Sequence, residues 1–197
     1  MGIEYTYRRL KKAKWTALQK DHEKTVSFLF APGDLDLDTL SEFISDPHGS
    51  KRNKILKMLE AAERDTSRIE LGKDWHALHF LLTGDPGDSL KHRSADPLHN
   101  SVMGGRSTKI STGYGPVRWL EPEDVREIAK ALSKISVKEL SRRFSANAFN
   151  AQLIYPNPEP GGWSRREVAG LFKLFPRFVK FFKDAASAGQ IVLVYAA

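Results

Sequence analysis

The apolar positions of this chain alternate near one end and run almost unbroken at the other. Ile3, Tyr5 and Tyr7 are separated by single residues, and this spacing predicts a strand over residues 2–10. Residues 190–195 read QIVLVY, a nearly continuous apolar run that is typical of a strand in the interior of a sheet. Both ends of the chain are therefore predicted to be strands.

Two further segments are predicted to be strands. Residues 115–120 place Val117 and Trp119 on one side and Arg118 on the other. Residues 25–30 form a β-prone run that ends at the turn sequence APGD.

Helical spacing accounts for most of the remaining apolar residues. Residues 73–82 are apolar on nearly every side, as in a buried helix, and Gly84 with Pro86 predicts where that helix ends. Five more helices are predicted. One short helix carries Leu40, Phe43 and Ile44, a second covers residues 51–64, and a third begins at residues 121–124. The last two run from Ser136 to near Phe144 and from Ser164 to Gly189, the latter with a kink or break at Pro176.

Counting these elements predicts an α+β protein. The simplest assembly is a single domain over residues 1–197, with a small mixed or antiparallel sheet that includes both chain termini and the 115–120 strand. Several helices wrap this sheet.

Composition agrees with a folded protein. Hydrophobic residues make up 41% of the chain and charged residues 28%, as in ordinary globular proteins. The absence of cysteine excludes disulfides, thiolate zinc sites and cysteine nucleophiles. No apolar run reaches the ~18 residues of a membrane helix, and the N-terminal charges follow the apolar residues, unlike a signal peptide. We expect a cytoplasmic protein without membrane contact.

The net charge of +7 is compatible with an acidic partner. A protein, a small anionic ligand and a nucleic acid all carry suitable charge, while solubility alone also explains an excess of lysine and arginine. No nucleic-acid-reading motif and no aromatic stacking platform accompanies the basic residues, so we expect no nucleic-acid binding.

His79 is the candidate catalytic residue. It shares a helix face with Trp75, Leu78 and Leu82, where a histidine can serve as a general acid or base. The structural alternative is a core histidine whose ring nitrogens bond a carbonyl or a carboxylate.

Metal binding is not expected. His76 and His79 lie three residues apart on one predicted helix and could share a metal, and His92, His99 and three aspartates follow. The chain nevertheless has no fixed metal signature such as HExxH. We expect no metal and no cofactor.

The candidate ligand-binding residues are Gly104, Gly105, Arg106, Tyr114 and Arg118. Glycine turns let main-chain amides approach an anion, and an arginine supplies the opposite charge. No phosphate-binding fingerprint is present, and tight turns between packed elements explain the same glycines.

Several ordered motifs resemble the YfbM-like family of small bacterial proteins, a domain of unknown function. They are Met1-Gly2 before a strand, WxxLHxLLTG at 75–84, DPL at 96–98 with Gly104-Gly105 behind it, GYGP at 113–116 and IYP at 154–156. The resemblance implies one mixed α/β domain with helices around a central sheet. It implies no activity and no catalytic residues.

The sequence therefore favours a non-enzymatic binding module that engages a protein partner, in the manner of an immunity or antitoxin protein, or a small anionic ligand. The alternative is an enzyme for a phosphate-bearing or nucleotide-like substrate, with His79 as the acid/base and Arg118 as the anion holder. That alternative requires both side chains to line one cleft.

Overall fold

The structure is a computed structural model that describes residues 2–30, 41, 44–46, 49, 52–63, 65–87 and 94–196. It divides into two compact units, one formed by Lys11–Ser67 and the other by Met1–Leu10 with Arg68–Ala197. The predicted helix positions Leu40 and Phe43, and the candidate metal ligand His92, lie outside the described residues.

The second of these units is built on a five-stranded antiparallel sheet. The strand order is β2-β1-β5-β4-β3, so the two chain ends are neighbours as predicted. The strands are β1 Tyr5–Leu10, β2 Arg68–Gly72, β3 Arg106–Thr112, β4 Gly115–Leu120 and β5 Ile191–Ala196.

Strand β5 is the central strand. Val194 lies opposite Tyr7 of β1 and Arg118 of β4, and all six residues of β5 are buried. A strand that is buried on both faces needs apolar residues at consecutive positions, which explains the unbroken apolar run at the end of the sequence.

The described residues also form nine helices. The unit at Lys11–Ser67 contains three of them: α1 Lys12–Leu18, α2 His22–Phe30 and α3 Arg52–Glu63. The sheet-containing unit carries α4 Trp75–Thr83, α5 Pro97–Val102, α6 Pro122–Leu132, α7 Val137–Arg143, α8 Ala146–Ala151 and α9 Ala169–Ser187. None of the described helices combines the length and the apolar character that crossing a membrane requires.

The core of the sheet-containing unit lies between the sheet and α9. The Tyr7 ring makes edge-to-face contacts with Phe178, Phe181 and Phe182. Helix α9 continues across Pro176, so the predicted division of this helix does not occur.

The prediction of a strand over residues 25–30 is wrong, because this segment belongs to α2. The Asp21 carboxylate accepts a hydrogen bond from the Lys24 amide (3.1 Å), and the Thr25 hydroxyl donates to the carbonyl of Leu18 (2.6 Å). Thr25 and Leu29, four residues apart, are both fully buried. A short apolar run fits a helix and a strand equally well, and here the local hydrogen bonds decide in favour of the helix.

Five elements have no counterpart in the sequence prediction: α1, β2, β3, α5 and α8. Helix α5 matters most for the site. The Asp96 carboxylate accepts a hydrogen bond from the Leu98 amide (2.9 Å), and Pro97 occupies the first helical turn. This aspartate cap and early proline start a helix that places His99 inside the protein.

Candidate functional site

Helices α4 and α5 bring two buried histidines into contact. His79 Nε2 lies 3.2 Å from His99 Nδ1, and the two rings meet edge to face. His79 is fully buried because α4 is apolar on nearly every side, and His99 is 6% exposed. The predicted burial of α4 is confirmed, and it encloses the candidate catalytic residue.

Asp85 joins the two histidines from the turn that follows α4. One ligand-type atom from each of His79, Asp85 and His99 lies within 4.8 Å of the other two. The turn is well defined, because the Asp85 amide donates to Thr83 Oγ1 (3.0 Å) and Asp85 Oδ1 accepts from the Gly87 amide (2.9 Å). We call these three residues the histidine–aspartate cluster.

His79 is held in its neutral form. Burial, together with the neighbouring His99 ring, lowers the pKa of His79 to about 4, although Asp85 opposes the shift. Its Nδ1 atom is buried and has no hydrogen-bond partner. At neutral pH the ring carries no positive charge, and one of its nitrogens has a lone pair that can accept a hydrogen bond or bind a metal ion.

His76 does not join the cluster as a ligand. Its Nδ1 accepts a hydrogen bond from the Tyr155 amide (3.0 Å), and its Nε2 lies 2.5 Å from the Pro86 carbonyl oxygen. Both ring nitrogens are therefore used to join the turn after α4 to Tyr155. His76 therefore has no ring nitrogen left to share a metal with His79, and His79 instead contacts His99.

Arg118 lies inside the protein, where it caps the end of α5. It is 4% exposed. Its guanidinium donates to the carbonyl oxygens of Gly104 (2.7 Å), Val102 (3.3 Å) and Met103. These carbonyls have no partner within so short a helix, and they lie at the negative end of its dipole. The group predicted to hold an anion is already bound to main-chain oxygens.

The other candidate residues separate into buried and exposed groups. Gly104 and Gly105 are buried, and a Cβ on Gly104 would lie 2.5 Å from the Asn100 Cα, so this turn is needed for close packing. Arg106 and Tyr114 are exposed on the β3–β4 hairpin, with Arg106 3.6 Å from Glu121 in an ion pair.

The predicted site residues thus occupy three places. His79 contacts α5 at His99, Arg118 contacts the end of α5, and Arg106 and Tyr114 point outward on the hairpin. His79 and Arg118 are both buried and bond different parts of α5, so they do not line one open cleft.

Comparison with known proteins identifies the family to which the chain belongs. A family model described as "Domain of unknown function (DUF1877)" matches residues 1–195. The chain belongs to this family.

Two comparisons link this DUF1877 chain to YfbM of Escherichia coli. Protein YfbM (strain K12) is 30% identical over 116 residues, which is 52% of this chain and 66% of YfbM. The chain thus spans just under two thirds of that relative. A crystal structure titled as a protein of unknown function, YfbM from Escherichia coli, has a TM-score of 0.59 at 20% identity over 99% of both chains. The predicted YfbM-like membership and the α+β fold are confirmed.

In this DUF1877 chain, His99 and Asp85 follow His79 as candidate metal ligands, but the sequence does not place the three side chains together. The signal was the Asp96-Pro97 pair, which starts α5 and turns His99 inward, whereas no helix was predicted at these residues. Spacing along the chain does not show that α5 packs on α4.

Proposed function

We propose that this protein is a non-enzymatic binding module that engages an acidic protein partner along the β3–β4 hairpin. The observation that carries the proposal is the exposure of β3, an edge strand in which none of the seven residues is buried. In the described part of the chain, β3 pairs only with β4. Addition of a partner strand to such an edge is a common mode of recognition.

The side chains of the hairpin suit an acidic partner. Arg106 and Lys109 are exposed on β3, and Tyr114, 47% exposed, stands at the turn that joins β3 to β4. Tyrosine and arginine are enriched among residues that dominate protein interfaces. The net charge of +7 would speed the approach of an acidic protein. An immunity or antitoxin-like role is the form we propose for this interaction.

The geometry gives less support to the alternative, an enzyme that acts on a phosphate-bearing or nucleotide-like substrate. That function needs His79 and Arg118 to reach one substrate, and both side chains are buried. A small anionic ligand at the 104–118 segment meets the same obstacle, because the Arg118 guanidinium binds carbonyl oxygens.

The test is retention of a partner by tagged protein in an extract of the source cells. We expect wild type to retain an acidic protein, and Lys109→Glu and Tyr114→Ala to lose it at least about tenfold, as for truncated interface anchors. Lys130→Glu is the matched control, since Lys130 is exposed on α6. Equal retention by wild type and Lys109→Glu would contradict the proposal, as would an equal loss in Lys130→Glu.

A second measurement separates the proposal from the enzyme alternative. Inorganic phosphate and pyrophosphate are titrated into labelled protein while the side-chain resonances of Arg118 and His79 are followed. We expect no saturable shift of either resonance, because both groups are buried. A saturable shift of both would favour the alternative.

A further inference from the structure

We propose that His79, Asp85 and His99 form a binding site for one divalent transition-metal ion of the zinc class. The site does not depend on the proposed partner interaction at the hairpin. It replaces our expectation from the sequence that the chain holds no metal.

The chemistry of the donor atoms favours such an ion. Two imidazoles and one carboxylate form the ligand set of many zinc sites that keep a fourth position open for water. Calcium and magnesium prefer sites made of oxygen ligands, so two histidines disfavour them. The cluster is therefore suited to zinc or to iron(II), cobalt(II) and similar first-row ions.

The spacing of the two histidines fits a shared ion. His79 Nε2 and His99 Nδ1 are 3.2 Å apart. Two ligands of a tetrahedral zinc ion, with bonds of roughly 2.0–2.1 Å, lie about 3.3 Å apart. The full cluster spans at most 4.8 Å between ligand atoms, so the Asp85 carboxylate closes the remaining gap by a movement of roughly 1.5 Å.

A buried nitrogen without a partner is the second observation. His79 is fully buried, and its Nδ1 has no hydrogen-bond partner. The nitrogen faces the turn that carries Asp85, because a Cβ placed on Gly87 would lie 3.8 Å from it. An ion bound at Nε2 places the ring proton on Nδ1, so Nδ1 becomes a hydrogen-bond donor that faces this turn, and the ion fixes the tautomer of the ring.

The surrounding residues hold the ligands in place. Asp85 Oδ1 accepts a hydrogen bond from the Gly87 amide, which holds the carboxylate in the turn. His76 bonds the Pro86 carbonyl and the Tyr155 amide and thereby fixes the turn. Such hydrogen bonds around a ligand set orient it for binding.

The first test is metal binding by the full chain after removal of metals with EDTA. Zinc is titrated against a chromophoric chelator, and cobalt(II) is used for its visible spectrum. We expect one ion per chain, a cobalt spectrum of low coordination number and a higher melting temperature with zinc than without it. A wild-type chain that binds no stoichiometric zinc or cobalt would overturn the proposal.

The second test compares variants. Asp85→Asn keeps the shape of a partly exposed side chain, and we expect it and His99→Gln to weaken zinc binding by at least about tenfold. His22→Gln, a histidine of the other unit, is the control and is expected to leave the affinity unchanged. Because replacing the fully buried His79 also tests folding, Asp85→Asn is the deciding variant. Wild-type affinity in Asp85→Asn and His99→Gln would refute the site.

Discussion

His79 and Arg118 are both basic and both buried, yet they differ in their hydrogen-bond partners. Three carbonyl oxygens accept hydrogen bonds from the Arg118 guanidinium, so its charge is compensated inside the protein. His79 meets a second imidazole and has one nitrogen without a partner. Burial then favours the neutral ring. The first residue stabilises the fold, and the second is available for binding chemistry.

The pKa of His79 predicts how the stability of the metal-free protein depends on pH. The folded pKa is about 4, below the usual value of 6.5. Between these values the unfolded chain binds the proton more readily, so stability rises with pH and falls as the pH drops from 6.5 towards 4. The loss is at most about 3 kcal/mol.

Urea unfolding in EDTA at several pH values between 4.5 and 7.5 measures this dependence. The matched variant His79→Gln should lose that part of the slope, even if it is less stable at every pH. His76, Asp85 and His99 are present in both proteins and interact with His79, so the difference between the two slopes measures His79 together with its coupling to these neighbours. Equal slopes in the two proteins would contradict the assignment.

Arg118 is predicted to be structural. Arg118→Met leaves three buried carbonyl oxygens without their donor, which should cost roughly 2–4 kcal/mol in the free energy of unfolding. Arg106→Met, on the exposed strand β3, should change it by less than about 0.5 kcal/mol. Chemical denaturation of both variants checks this difference. A negligible cost for Arg118→Met would mean that the guanidinium is free to bind a ligand.

At the scale of elements, β5 holds the sheet together. It pairs with β1 on one side and β4 on the other, and every residue is buried. Deletion of the last six residues is therefore predicted to give an insoluble or molten protein that lacks near-UV circular dichroism. A truncated protein with an unchanged melting temperature would contradict the central position of β5.

The sequence predicts elements well where burial shapes their composition. Strand β5 is continuously apolar because both faces are covered, and α4 is apolar all round for the same reason. Strand β3 was missed because it is an exposed edge strand whose sequence, RSTKIST, carries little apolar alternation. Helix α2 was mistaken for a strand because its decisive hydrogen bonds, from the Thr25 hydroxyl and to the Asp21 carboxylate, leave no mark in apolar periodicity.

The candidate site was less predictable than the fold. His79 was identified as a buried helical histidine, but its partner His99 is 20 residues away on a helix of six residues. Alternation along β4 indicates that Arg118 points away from Val117, and it does not reveal that α5 covers that side as well. Contacts of this kind depend on how helices pack on one another, which a single sequence does not record.

At the scale of the whole molecule, the sheet-containing unit carries two features that account for different kinds of binding. The β3–β4 hairpin presents exposed basic and aromatic residues at a sheet edge. The histidine–aspartate cluster lies between helices, with two of its three members buried. Binding at the first would be sensitive to ionic strength, because the charges are exposed. Metal binding at the cluster would depend on the positions of the three ligand atoms.

Anomalous X-ray scattering can locate a zinc ion bound at the histidine–aspartate cluster. Crystals grown with zinc are measured on both sides of the zinc absorption edge. We expect one anomalous peak per chain, at about 2.0–2.2 Å from a nitrogen of His79, a nitrogen of His99 and an oxygen of Asp85. No peak between α4 and α5, with zinc absent or bound only to surface side chains, would contradict the proposed site.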